Sequence, residues 1–210
     1  MRKFLILSQS IILGTSILFS SVNVFGASIW QQSYELEKQK KYLEAAKLIQ
    51  PKIQKSIKSE YAILRYAWLN YLAGKYNIAI DNYKLAIKYN SQSLDARLGI
   101  MLPLMAQSRW REATEFGEQV LAVAPWQYYA HIRLMACESA LLLWSKLDKH
   151  ASLVNEKYPS DVDTLIFLAR AKINTGDKKS ALKIYKKVIE RLPNNAEALQ
   201  FIVENILMDS

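Results

Sequence analysis

The chain has 210 residues, 51% of them hydrophobic and 22% charged, with six Gly and five Pro. That is ample apolar material for one folded domain and too little Gly and Pro for a turn-rich or disordered chain, so helices with short connections fit best. Of the net charge of +9, two come from Arg2 and Lys3, and the rest is mostly lysine spread along successive polar helix faces; without a basic block or a recognised motif, this points away from nucleic-acid binding.

The amino terminus reads as an address. Arg2 and Lys3 precede a mostly apolar run from Phe4 to Phe19, and the stretch closes on Val24, Phe25, Gly26 and Ala27. This is the three-part build of a secretory signal peptide over residues 1–26, with Val24 and Gly26 suiting the positions before cleavage and Ala27 as the mature start. Ser8, Gln9 and Ser10 interrupt the apolar run, leaving it short of the roughly 20 apolar residues of a spanning helix; an uncleaved anchor is the alternative. No cysteine lies near the cleavage site, so a lipid-modified amino terminus is excluded. The expected location is therefore outside the cytoplasm, in a periplasm, with membrane contact only if the leader is retained.

The remainder is a repeat array. Sliding the sequence by 34 residues superposes similar stretches without gaps, with repeats at 27–59, 60–93, 94–127, 128–161 and 162–195 and a closing helix at 196–210. Each repeat reads as two amphipathic helices. Slots are numbered within the unit, which begins at Gly26, Glu60, Leu94, Tyr128, Val162 and Ala196. Slot 20, where two helices must approach closely, holds Ala45, Ala79, Ala113, Leu147 and Ala181. Slots 24, 27 and 28 follow at helical spacing, as in Tyr83, Ala86 and Ile87 or Tyr185, Val188 and Ile189. Slot 17 carries Tyr42, Tyr76, Trp110 and Trp144, with Lys178 breaking the series; an aromatic repeated just after each interhelix turn reads as a packing wedge. Gly74 and Gly176 stand at slot 15 between paired helices, and Pro125, Pro159 and Pro193 at slot 32 stop second helices.

With these residues in place, the chain resembles the tetratricopeptide repeat family, whose 34-residue unit has a small residue at slot 8, alanine at 20, an aromatic at 24, alanine at 27 and proline at 32. The second unit matches with Ala67, Ala79, Tyr83 and Ala86, and the fifth with Ala169, Gly176, Ala181, Tyr185 and Pro193. The resemblance runs from Gly26 to Ser210. It implies an all-α fold, an α-solenoid of stacked antiparallel helix pairs forming a right-handed superhelix with a C-terminal closing helix, whose outer face should be the more polar one. The third and fourth units depart from the pattern: Met101 and Met135 stand at slot 8, and Gly117 and Ala151 at slot 24. Large and small residues have traded places there, which conserves volume. Pro103 and Pro51 fall inside predicted helices, where proline is expected to kink or break them.

In this family the first helix of each pair lines the concave side, with slots 2, 5, 9 and 12 facing inward. Here those slots include Trp30, Tyr34, Tyr61, Leu64, Trp68, Tyr71, Leu98, Leu102, Met105, Tyr129, Ile132, Ile166 and Ile173, bordered by Arg65, Arg133 and Arg170. The members that grip a terminal carboxylate use Lys and Asn at slots 5 and 9; this chain has Trp30 and Tyr34, then Leu64 and Trp68, so that clamp is absent. An apolar, aromatic groove edged with arginines suits an extended peptide or an amphipathic helix of a protein partner. A subunit interface in a homo-oligomer and a site for a glycan or apolar ligand are the alternatives.

Catalysis finds no support. His131 and His150 are the only histidines, and His131 lies six residues from Cys137, a spacing that does not bring the two side chains together on a helix. Cys137 reads as a buried structural thiol. Asp161 and Asp163 precede an apolar helix as capping residues. No phosphate loop or metal-ligand spacing appears, and no cofactor is expected.

Overall fold

The structure, a computed structural model, describes residues 28–53 and 59–207. The leader assigned to residues 1–26 lies outside the described residues. Helices α1 (Ile29–Lys38), α2 (Tyr42–Ile53), α3 (Glu60–Leu72), α4 (Tyr76–Tyr89), α5 (Leu94–Ala106) and α6 (Trp110–Val123) are followed by α7 (Tyr128–Ala140), α8 (Trp144–Lys157), α9 (Val162–Asn174), α10 (Lys178–Arg191) and α11 (Ala196–Leu207). Each packs on the next, and the odd-numbered helices α3, α5, α7 and α9 also touch one another. No two even-numbered helices approach to that extent among the described residues. The stack is therefore an all-α solenoid, tighter on the side of the first helices, and that side is concave.

The repeat period is visible in the helix ends. From α3 onward each first helix starts 34 residues after the previous one, and a polar side chain in front accepts the N–H three residues on: Ser59, Ser93, Gln127, Asp161 and Asn195. Such caps satisfy one of the free amides of a helix start. The first repeat differs, because α1 begins only at Ile29, with Ser28 as its cap. Every second helix opens on the slot-17 residue. At slot 15 the backbone turns left-handed in all five repeats, at Lys40, Gly74, Ser108, Leu142 and Gly176. In each, that residue's N–H and the following one bond back to the preceding helix, as Leu142 does to Ser139 and Leu143 to Glu138, the pairing that closes a helix with a left-handed residue. A branched side chain in that conformation is disfavoured by about 1–2 kcal/mol, and Leu142 is two-thirds exposed, with little packing to lose. Leu142→Gly is expected to raise stability by about 0.5–1 kcal/mol, after allowance for the greater freedom of glycine in the unfolded chain; a thermal melt against wild type checks this.

The core is a row of apolar clusters along the stack, with an alanine-rich seam between paired helices. Ala45, Ala79, Ala113, Leu147 and Ala181 are all fully buried. The exchange of large for small in the third unit is direct: a Cβ at Gly117 would stand 2.8 Å from Met101 Cε and from Leu134, so the methionine fills the space that an aromatic occupies in the second and fifth units. Neither interior proline breaks its helix. α5 runs on through Pro103 to Ala106 and α2 through Pro51 to Ile53. Pro103 sits within a turn of the end of α5, where the missing N–H leaves one carbonyl unpaired instead of interrupting a long ladder.

In the closing helix Ala198, Phe201 and Ile202 pack on the last repeat, and the opposite face exposes Gln200 and Glu204 together with Leu199 and Val203. Arg170 of α9 ties this helix down through a two-pronged bond to Glu197, at 2.7 and 2.5 Å, and Tyr185 donates to the same carboxylate at 2.6 Å.

Candidate functional site

A cavity of about 940 Å³ opens on the concave side, spanning α1, α3, α5 and α7. Its apolar wall comes from Leu64, Trp68, Leu72, Leu98 and Leu102, and its rim from Tyr34, Tyr61 and Tyr129. These three tyrosines are 43%, 48% and 58% exposed, far more than a ring of that size needs for packing alone. The wall follows from helix geometry: Tyr61, Leu64 and Trp68 recur three and four residues apart, as do Leu98 and Leu102, which places each set on one helix face.

Charged residues stiffen one end. Arg65 is only 6% exposed. Its Nε donates to Ser33 Oγ at 3.1 Å and its Nη1 to Glu37 Oε2, and the guanidinium lies 3.9 Å over the Tyr34 ring. The other Glu37 oxygen accepts from Trp68 Nε1 at 2.8 Å. Tyr34 and Tyr61 bring their hydroxyls within 2.8 Å of each other, and this contact pushes the Tyr61 phenol above its ordinary value. One carboxylate therefore positions both the arginine and the tryptophan of the wall. At the other end Arg133 enters from α7, donates from Nη1 to the Leu98 carbonyl and lies 5.8 Å from the centre of the Tyr129 ring. Burial holds it below the usual guanidinium range.

Of the residues expected at the groove, Tyr34, Tyr61, Leu64, Arg65, Trp68, Leu98, Leu102, Tyr129 and Arg133 line this cavity. Arg65 is more deeply placed than a bordering residue, since it is already paired within the chain. Trp30 stands behind Tyr61, edge to face at 4.8 Å. Tyr71 is half-buried between Trp68 and Tyr76. Arg170 lies elsewhere, at a smaller cavity of about 310 Å³ beside α11. Sequence reasoning passed over Glu37 and Asp95, which also line the main cavity. Both occupy inward-facing slots, 12 and 2, so the register marked them; attention to apolar residues hid them. Tyr83, read as purely structural, also reaches the wall.

A second polar group was not legible. His131 Nε2 lies 2.9 Å from the Pro125 carbonyl, which can only accept, so that nitrogen carries hydrogen. His131 Nδ1 is 2.9 Å from His150 Nε2, and His150 Nδ1 is 2.9 Å from Glu138 Oε2. Burial disfavours a charge on His131, so the hydrogen of this contact is assigned to His150 Nε2, which donates to His131 Nδ1. Charging His131 would set two N–H groups against each other, and burial holds its pKa below the ordinary imidazole value. The depressed value in the fold means that this stability is present above the unfolded value of 6.5 and is lost as pH falls below it. Melting temperature is expected to drop between pH 7.5 and 5.5, with a flatter profile for His131→Leu. Cys137 is fully buried, and burial pushes its thiol up to about 11, which keeps it protonated and unreactive at neutral pH. Among the described residues, no group of three or more His, Cys, Asp or Glu side chains is placed to hold a metal ion, and no helix is long and apolar enough to cross a membrane.

Stacked helix pairs at a 34-residue period define the class, and comparison with solved structures agrees. A tetratricopeptide repeat protein from Parabacteroides merdae superposes with a TM-score of 0.74 at 12% identity, over 86% of this chain and 72% of that one. MamA from Desulfovibrio magneticus gives 0.71 at 15% identity over 80% and 95%. YrrB, described as a tetratricopeptide repeat protein with an unusual peptide-binding site, gives 0.67 at 14% over 80% and 87%. The fold of the chain is that of the tetratricopeptide repeat proteins. No protein-family model and no curated protein matches the sequence.

Proposed function

We propose that this chain is a non-enzymatic scaffold or assembly factor, exported to a periplasm, that holds a peptide or helical segment of a partner protein in the cavity across α1, α3, α5 and α7. The observation that carries this reading is the pairing of three exposed tyrosines with a rigid apolar wall on the concave side. Aromatic rings give large contact area at little entropic loss, and contiguous apolar patches rimmed by polar groups mark interaction sites. The peptide-binding site described for YrrB makes the same use of this fold plausible here. Crosslinked capture from envelope extracts, comparing wild type with Tyr61→Ala and Tyr129→Ala, tests it: partners retained equally by the variants would sink the assignment. Detection of a mature start at Ala27 by mass spectrometry checks the export reading.

Self-association is the second reading, and the exposed Leu199 and Val203 on α11 favour it. Light scattering over a hundredfold concentration range separates the two, because a size independent of concentration removes the self-associating scaffold.

A further inference from the structure

Arg133 stands apart from the other arginines of the concave side. Arg65 has Glu37 and Arg170 has Glu197, whereas among the described residues no carboxylate lies within ion-pair distance of Arg133. Its guanidinium has one hydrogen bond, to the backbone carbonyl of Leu98. It is half-buried and lines the main cavity. Leu98 O and the Tyr129 ring hold the group without neutralising it. A partly desolvated guanidinium with open donors gains most from a carboxylate, which it can take in a two-pronged geometry. The rest of the lining agrees: Lys38, Lys40, Arg65 and Arg133 stand with Glu37 and Asp95, and although Lys38 is paired to Glu35, Lys40 adds to the positive side. Glu37 is consumed by Arg65 and Trp68. Asp95 sits in the first turn of α5, where the helix dipole favours its charge.

We infer that Arg133 is the anion-reading position of the groove, and that the partner segment it receives is acidic and apolar together, presenting an Asp or Glu carboxylate to Arg133 while neighbouring apolar side chains rest on Leu64, Trp68, Leu98 and Leu102. This rests on the groove reading above and adds to it the chemistry of the occupant. The wall supplies contact area without register; a half-buried guanidinium without an ion pair at one end supplies register, since only one placement of the segment sets its carboxylate there. Arg65 has a different part. Its Nη2 is buried without a partner, but the atom is closed off beneath Tyr34 and shaped by Glu37, so it supports the wall.

The test is selection of a random 12-residue peptide library on the full chain, followed by fluorescence anisotropy with the recovered peptides and their Glu→Gln or Asp→Asn versions. Expected are peptides carrying one acidic residue among apolar ones, with affinity falling roughly tenfold or more both on neutralising that residue and on Arg133→Met, and no further on combining the two. Arg133→Lys keeps the charge without the planar fork and should lie between; circular dichroism melts of both variants confirm that the fold is retained. Peptides that lose affinity with Tyr129→Ala or Tyr61→Ala, yet carry no acidic residue or ignore Arg133→Met, overturn the anion assignment and leave the groove standing. Peptides indifferent to both tyrosine changes, or no recovered peptide at all, overturn both. Concentration-dependent assembly of the chain that is abolished by Arg133→Met would make the occupant a second copy, and the partner assignment would fall.

Discussion

Glu37→Ala is expected to lower stability by about 3 kcal/mol. The carboxylate is three-quarters buried and its partner Arg65 almost wholly so. Removing one member of such a pair leaves the other charged and desolvated, which typically costs roughly 3–5 kcal/mol; the partial exposure of Glu37 places the effect at the lower end. Two further groups are affected: Trp68 Nε1 loses its acceptor, and Arg65, whose Nη2 is already without a partner, keeps only Ser33 and the Tyr34 ring. In a repeat stack stability is a sum of units and their interfaces, so the loss should fall on the α1–α3 contact. Hydrogen exchange is therefore the sharper measurement, with protection lost across α1 and α2 and retained in α7 to α10. The companion variant Glu37→Leu with Arg65→Met removes both charges and should recover most of the loss, because a buried pair is worth little against well-packed apolar residues. If the double variant is as unstable as Glu37→Ala, the penalty comes from lost packing and the charge explanation is wrong.

Gly99→Ala is expected to cost about 2 kcal/mol, although alanine is the better helix former by about 1 kcal/mol. A Cβ at Gly99 would lie 2.2 Å from Tyr83 Cε1 and 2.5 Å from Cζ. The ring is 3% exposed and packed into the largest core cluster, so overpacking outweighs propensity. The ring tip faces the cavity that Gly99 also lines, and the relief available is a movement into the groove. Gly99→Ala should thus weaken capture of whatever the groove holds as well as lower the melting temperature. Gly99→Ala combined with Tyr83→Phe, which shortens the ring at its tip, should restore part of both.

The helix pairs, their period and the packing seam were legible from the residues because each follows from a local rule repeated five times. A helix must bury one face, the next pair must accept it, and so the slots that approach closest keep small residues in register. Even the departures obeyed that logic, since Met101 beside Gly117 conserves volume. Leu142 and Ser108 show the reverse case: their left-handed turns are set by the repeat register against the preference of the residue itself. The leader read from residues 1–26 rests on its composition alone.

What the linear order could not decide was which long side chains meet. The inward slots named a face, and Tyr34, Tyr61, Leu64, Trp68, Leu98, Leu102 and Tyr129 from it came together around one cavity, but Arg65, Arg133 and Arg170 looked equivalent at its border. Their difference is a matter of partners some thirty positions away: Glu37 neutralises the first and Glu197 the third, whereas among the described residues Arg133 has a backbone carbonyl and the Tyr129 ring but no carboxylate. The His131, His150 and Glu138 chain arose in the same way, across two helices whose relative rotation no spacing rule specifies. Periodicity determines faces because it depends on backbone geometry, the same in every helix. Pairing among arginines, carboxylates and imidazoles depends on rotamers and on the packing of neighbouring repeats, and those exist only once the stack is assembled.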